Sequence, residues 1–181
     1  SSQLYCLTRH ISHNIKQYKN KYLESHMTKK YAKFLPTADD FTLENFPFFW
    51  ITQVYSQHVQ KVDQVLKKYG LDNSRRRRIL LALKSKPNAS VSDLSDMVVS
   101  KMSTTTKIVY RLKDEGLVNT YSCEDDARIT RVVLTEKGNE MTHKINDLTS
   151  AVLEQSFEGL TPLQIEKMMD SLKHIFNNLN R

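Results

Sequence analysis

Residues 101–118 read KMSTTTKIVYRLKDEGLV. Set out at about 100° per residue, Thr105, Ile108, Val109 and Leu112 share one face. Ser103, Thr104, Thr106, Lys107, Tyr110 and Arg111 crowd the other. The spacing predicts a helix capped by Ser103. Its small hydroxyls allow close approach to an edge rich in acceptors, and its N-terminal amides favour phosphate. Lys107 and Arg111 supply charge or a bidentate guanine contact. Taken alone, the stretch reads equally well as a capped helix with solvated cations.

The flanks decide between the two. Upstream, Ser90 caps a short helix, VSDLSDMV, in which Val91, Leu94 and Val98 line one face. Downstream of Gly116 the apolar period changes to two, through Leu117-Val118 and then Thr130, Val132 and Leu134. The polar SCEDDAR between them makes a hairpin carrying Arg128. Short helix, second helix and hairpin follow in the order of a winged helix-turn-helix, whose second helix enters a major groove.

The rest of the 181-residue chain agrees with a mainly α fold: four glycines and four prolines leave long stretches free for helices, and 39% hydrophobic content suffices for a core. The net charge of +7 makes a polyanion a plausible partner. Cys6 and Cys123 are far apart and resemble neither a disulfide framework nor a metal site. No apolar run approaches the roughly 20 residues of a membrane span, and no secretion signal is seen, so a cytoplasmic protein without a membrane partner is expected.

Residues 1–45 read as a helical extension, with Leu4, Leu7, Ile11, Ile15, Tyr18 and Tyr22 at helical spacing. Ser25-His26-Met27 resembles a cloning junction before an alternative start, so part of this extension is expected to be foreign. After Asn45-Phe46-Pro47 a helix carries Ile51, Val54, Tyr55, His58, Val62, Val65, Leu66 and Tyr69 on its inner stripe and ends at Gly70. SRRRRILLALKSKP supplies the next helix. Thr135 starts another with Met141, Ile145, Leu148 and Val152. Thr161-Pro162-Leu163-Gln164 combines a capping box with a first-turn proline before a last stripe of Ile165, Met168, Met169, Leu172, Ile175, Phe176 and Leu179.

In YGLD (69–72), SVSDLSDMV (90–98), KMSTTTKIVYRLKDEGLV and DDARITRVVLTEKG (125–138) the chain resembles the MarR family of bacterial transcription regulators. Four pieces in the right order, including D-x-R and L-T-x-x-G, make the match specific from Phe46 onward. The resemblance implies a sequence-specific DNA-binding regulator, a repressor acting as a homodimer on a pseudo-palindromic duplex. Residues 46–70 and 136–181 would form the N- and C-terminal dimerisation helices, and 71–135 the DNA-binding lobe with its two-stranded wing. Ser103, Thr104, Thr106, Lys107 and Arg111 would face the major groove and Arg128 the minor groove, with Ser90 and Ser92 on phosphate. The spacing after Gly70-Leu71 is a residue longer than usual, which leaves the roles of Arg75 to Arg78 open.

The same resemblance implies a small aromatic carboxylate effector, such as indole-3-acetate or a phenolic acid, taken by Phe48, Trp50, Tyr55, His58 and Arg76. From the residues alone, the cluster of Phe46, Phe48, Phe49, Trp50, Tyr55 and His58 fits either an aromatic pocket or plain core and dimer packing. In SRRRR, four consecutive helix positions point in four directions, so at most two meet one duplex. The others cover core with their stems or pair with a ligand carboxylate. Redox sensing is the family's other mode, but Cys123 shows no obvious activating partner in the sequence. A basic helical protein-interaction module is the rival from another class. Catalysis is not expected. His10, His13, His26, His58, His143 and His174 are scattered, Asp125-Asp126 sits in a turn, and no nucleophile elbow, phosphate loop or metal motif is present, so no cofactor is implied.

Overall fold

The computed structural model describes residues 30–71 and 74–181, in two compact units divided between Ser56 and Gln57. The predicted helix over Leu4–Tyr22, and Cys6, lie outside the described residues. The first unit holds two short 3-10 turns, Ala32–Phe34 and Leu43–Asn45. Helix α1 (Pro47–Lys67) follows, with proline at its first position, where a missing N–H costs nothing. It closes at Gly70, where φ is +66°. There the Leu71 N–H reaches Leu66 O and the Gly70 N–H reaches Lys67 O, a Schellman closure.

The second unit is the winged helix-turn-helix that the sequence predicts. Helix α2 (Ser74–Ser85) lies at its centre, against α3 (Val91–Met97), α4 (Met102–Asp114), strand β2 (Thr130–Leu134) and α5 (Glu136–Phe157). Strand β1 (Val118–Ser122) pairs antiparallel with β2 in the register Val118↔Leu134, Thr120↔Val132 and Ser122↔Thr130. A bridge from Ser90 to Arg131 ties the strands to the start of α3. The core joins Val62 and Leu66 to Ile79, Leu83, Leu94, Val109, Leu112, Val118, Val132 and Ile145. On α4 the angular reading holds: Thr105, Val109 and Leu112 are buried.

The caps follow the sequence with one correction. Ser90 and Asp93 form a reciprocal capping box, Thr135 accepts the Gly138 N–H, and Thr161 and Gln164 form a second box at the start of α6 (Pro162–Leu179). Ser103, however, is not the cap of α4. The helix begins at Met102, and Lys101 caps it without a side-chain bond. The reason lies in the preceding turn, where α3 ends in a Schellman closure: the Ser100 N–H bonds Ser95 O and the Val99 N–H bonds Asp96 O. This starts the next helix two residues early, and it holds Val99, a β-branched residue, at φ +51°.

The predicted stripes are also corrected in part. On α1 only Val62 and Leu66 are buried, while Ile51, Val54 and Tyr55 are exposed. On α6 none is buried, although Met168, Leu172 and Phe176 recur at helical spacing. Periodicity marks which face is apolar, whereas burial needs a facing surface, and the described residues of one chain do not supply it here. Among the described residues no helix is long and apolar enough to cross a membrane, and no group of three or more His, Cys, Asp or Glu could hold a metal.

Candidate nucleic-acid interface

Burying Thr105, Val109 and Leu112 turns the opposite side of α4 outward, and there Ser103, Lys107 and Arg111 stand exposed at one-turn intervals. Thr104 and Thr106 are half-buried at the flanks. Thr106 donates its hydroxyl hydrogen to Met102 O at 2.8 Å, so toward a ligand it keeps its methyl group and acceptor lone pairs. Lys107 and Arg111 keep their cations exposed to solvent beside them.

The far end of α4 is tied down on three sides. Leu117 N–H to Leu112 O and Gly116 N–H to Lys113 O close the helix, with Gly116 at φ +72°. Lys113 donates to Thr120 Oγ1 of β1 at 2.9 Å. Lys137 donates to Glu115 O at 2.8 Å and Thr135 to Gly116 O at 2.7 Å, both from the α5 side. The glycine of L-T-x-x-G has its reason here: a Cβ on Gly138 would lie 2.0 Å from Leu117 O. The recognition helix is thereby braced against strand and helix, as precise contact requires.

At the wing, Arg128 is 90% exposed and gripped by Asp126, with Nε to Oδ1 and Nη2 to Oδ2 both at 3.0 Å. The Arg128 guanidinium holds the Asp126 carboxyl below the usual range. D-x-R is therefore one bidentate unit, with the aspartate presenting the arginine. The wing root is held by a network the sequence reading did not find. Asp93 accepts the Ser90 N–H at 2.8 Å and pairs with Lys86 at 3.0 Å, while Arg131 Nη1 stands 4.0 Å away and donates to Asn88 O at 3.2 Å. Tyr121 donates to Asn88 Oδ1 at 2.9 Å. The Ser90 amide, then the Lys86 ammonium, hold the Asp93 pKa at about 2. Asn88 lies 33 positions from Tyr121 and 43 from Arg131, so no local pattern announces these contacts.

Ser90 spends its hydroxyl as an acceptor in the cap, for the Asp93 N–H at 3.0 Å, and retains a donor proton. Ser92 is exposed. The residues singled out for an aromatic effector are distributed differently. In the first unit, Phe48, Trp50 and Tyr55 are roughly half exposed. Trp50 donates to Glu44 O at 2.9 Å, and the Phe46 and Phe48 rings meet at a tilt of 56°, their centroids 5.7 Å apart. In the second, His58 is half-buried, and burial and then the Arg77 charge lower its pKa. Arg76 forms an ion pair with Glu115 at the end of α4. The cleft it lines with Arg77, Leu80 and Ile145 holds about 10 Å³, room for one water and not for a ring. The four arginines diverge as expected, with Arg75 exposed and Arg77 buried. Cys123 has activating partners that lie close by in the fold: the amides of Asp125 and Asp126, then Arg131, lower its thiol pKa.

The MarR family signature matches residues 73–130. Over 161 residues, 89% of this chain and 96% of the relative, the sequence is 36% identical to the HTH-type transcriptional repressor IacR of Pseudomonas putida. The chain belongs to the MarR family. It is a DNA-binding helix-turn-helix transcriptional regulator. Among solved structures it is similar to a MarR family regulator from Silicibacter pomeroyi DSS (TM-score 0.71, 23% identity, 80% of this chain and 96% of that one). It is also similar to CouR from Rhodococcus jostii RHA1, solved bound to p-coumaroyl-CoA (TM-score 0.66, 21% identity, 74% and 94%).

Proposed function

We propose that this MarR regulator is a cytoplasmic homodimeric repressor that reads a pseudo-palindromic operator and is released from it by a small aromatic carboxylate. The observation that carries the reading is the exposed ridge of Ser103, Lys107 and Arg111 on a braced α4, beside a wing tipped by Arg128. Ser103, Thr104, Thr106, Lys107 and Arg111 take base edges in the major groove, and Arg128 takes the adjacent minor groove. Ser90 and Ser92 take phosphate at the start of α3. Homodimerisation is supported by the apolar faces that the described residues leave open on α1 and α6. A dimer also places two recognition helices about 34 Å apart, in successive major grooves.

The effector reading rests on chemistry and on relatives. In the first unit Phe48, Trp50 and Tyr55 offer flat apolar surfaces; in the second, His58 offers a hydrogen-bonding ring, and Arg76, whose own cleft has no room for a ring, offers a fork for a carboxylate. IacR is a transcriptional repressor, CouR was solved bound to p-coumaroyl-CoA, and the structurally similar BpsR of Bordetella bronchiseptica has its DNA binding regulated by 6-hydroxynicotinic acid. Because Arg76 pairs with Glu115 at the end of α4, a carboxylate that takes Arg76 frees the recognition helix at one of its braces. The ligand acts by its preference for the released form.

Competition between a selected duplex and random DNA at several salt concentrations tests the first half. Specific recognition predicts that Arg111→Ala relaxes base preference, whereas a sequence-blind basic module shows none to lose. Thermal melts with indole-3-acetate and phenolic acids test the second half, since a ligand of the folded form raises Tm. The lowered Cys123 thiol favours one rival, oxidative release. If peroxide frees DNA from the wild type but not from Cys123→Ser, the aromatic effector gives way to it.

A further inference from the structure

A second ridge runs along α4 beside the cationic one. Met102, Thr106 and Tyr110 stand four residues apart, on the flank that faces the wing. Met102 is 48% and Tyr110 51% exposed, large fractions for apolar side chains on a helix otherwise well packed. The Met102 sulfur lies 3.5 Å from the Ser95 hydroxyl of α3, whose hydrogen goes to Val91 O at 2.9 Å, so the thioether touches α3 without being covered by it. Thr106 has committed its hydroxyl hydrogen to the Met102 carbonyl. With Val91, Val109 and Ile129, the three border a groove of about 550 Å³ between α4 and the wing.

Solvated apolar groups on a helix that enters a major groove meet only one apolar feature there, the C5 methyl of thymine. We infer that Met102, Thr106 and Tyr110 form a thymine-methyl reader, which makes the operator half-site thymine-bearing next to the bases taken by Lys107 and Arg111. This rests on the regulator reading above. Successive members of the ridge lie about 6 Å apart along the helix axis, so the ridge spans about 12 Å. At about 3.4 Å per base pair that covers three to four positions, and the thymines fall within such a stretch.

The test begins by enriching duplexes from a random pool with the full chain. Single thymines of the enriched sequence are then replaced by deoxyuridine, which removes the methyl and no hydrogen-bonding group. For the wild type, Kd rises about four-fold for each contacted methyl, at positions confined to one three- to four-base-pair stretch of each half-site. Met102→Ala and Tyr110→Ala each reduce the discrimination at their own position below two-fold. Lys107→Ala binds more weakly yet retains it. Equal affinity for thymine and uracil duplexes throughout overturns the reader and leaves the regulator intact, as does discrimination that survives in both variants. A pool that yields no enriched sequence overturns both.

Discussion

Replacing Asp93 by asparagine isolates the charge at the junction of helix-turn-helix and wing. The amide side chain keeps an oxygen for the Ser90 N–H, so the capping bond at 2.8 Å survives. The attraction to Lys86 at 3.0 Å and to Arg131 at 4.0 Å is lost. The Asp93 pKa falls from 3.8 to about 2 on folding. At 1.36 kcal/mol per unit this bounds the ionised form's contribution near 2.4 kcal/mol. Lys86 is 53% exposed and Asp93 31%, so water screens the pair, and asparagine retains part of the cap. What remains is on the order of 1 kcal/mol, equivalent to a Tm about 2–4 °C lower for the variant at pH 7. Because the folded pKa is the lower one, the contribution is complete well above pH 3.8 and is lost as pH falls toward 2. About half remains at pH 3. Thermal unfolding of both proteins by circular dichroism at pH 7 and pH 3 reads the difference directly. A gap between them that stays constant, or widens as the solution is acidified, refutes the ionic account of this junction.

Four further outcomes follow from single positions. Val99→Gly relieves a β-branched residue at φ +51° in the turn between α3 and α4. The left-handed penalty of about 1–2 kcal/mol exceeds glycine's entropic cost, so the urea midpoint rises; a lower midpoint contradicts the strain. Gly138→Ala drives a methyl to within 2.0 Å of Leu117 O and costs about 1–3 kcal/mol or more, visible as a fall in Tm. Thr105 Oγ1 is buried with no hydrogen-bond partner among the described residues, so Thr105→Val stabilises by about 1 kcal/mol in denaturant titration. Arg128→Ala leaves Tm unchanged, flattens the log–log salt dependence of affinity by about one and weakens binding most for duplexes whose minor groove under the wing is narrow and A·T-rich.

Some of this molecule was written locally. The period of Thr105, Val109 and Leu112 fixes which side of α4 is buried, and therefore that Ser103, Lys107 and Arg111 face outward; a helix offers one geometry for that pattern. Ser90, Thr135 and Thr161 mark helix starts because a side-chain oxygen three residues before an amide has a local partner. The change to period two after Gly116 marks the wing, and D-x-R closes within three residues. The Ser103 cap fails because another local device, the closure at Ser100, starts the helix earlier.

Tertiary structure decided what connects distant residues. Asn88 meeting Tyr121 and Arg131, Arg76 meeting Glu115, and Leu117 O passing under Gly138 depend on how helices and strands are stacked. Identical side chains at the same spacing would pair elsewhere in another stack. It also separated an apolar face from a buried one. The stripes of α1 and α6 are legible as sequence, yet their burial depends on a facing surface, because the hydrophobic effect acts on area removed from water and not on pattern.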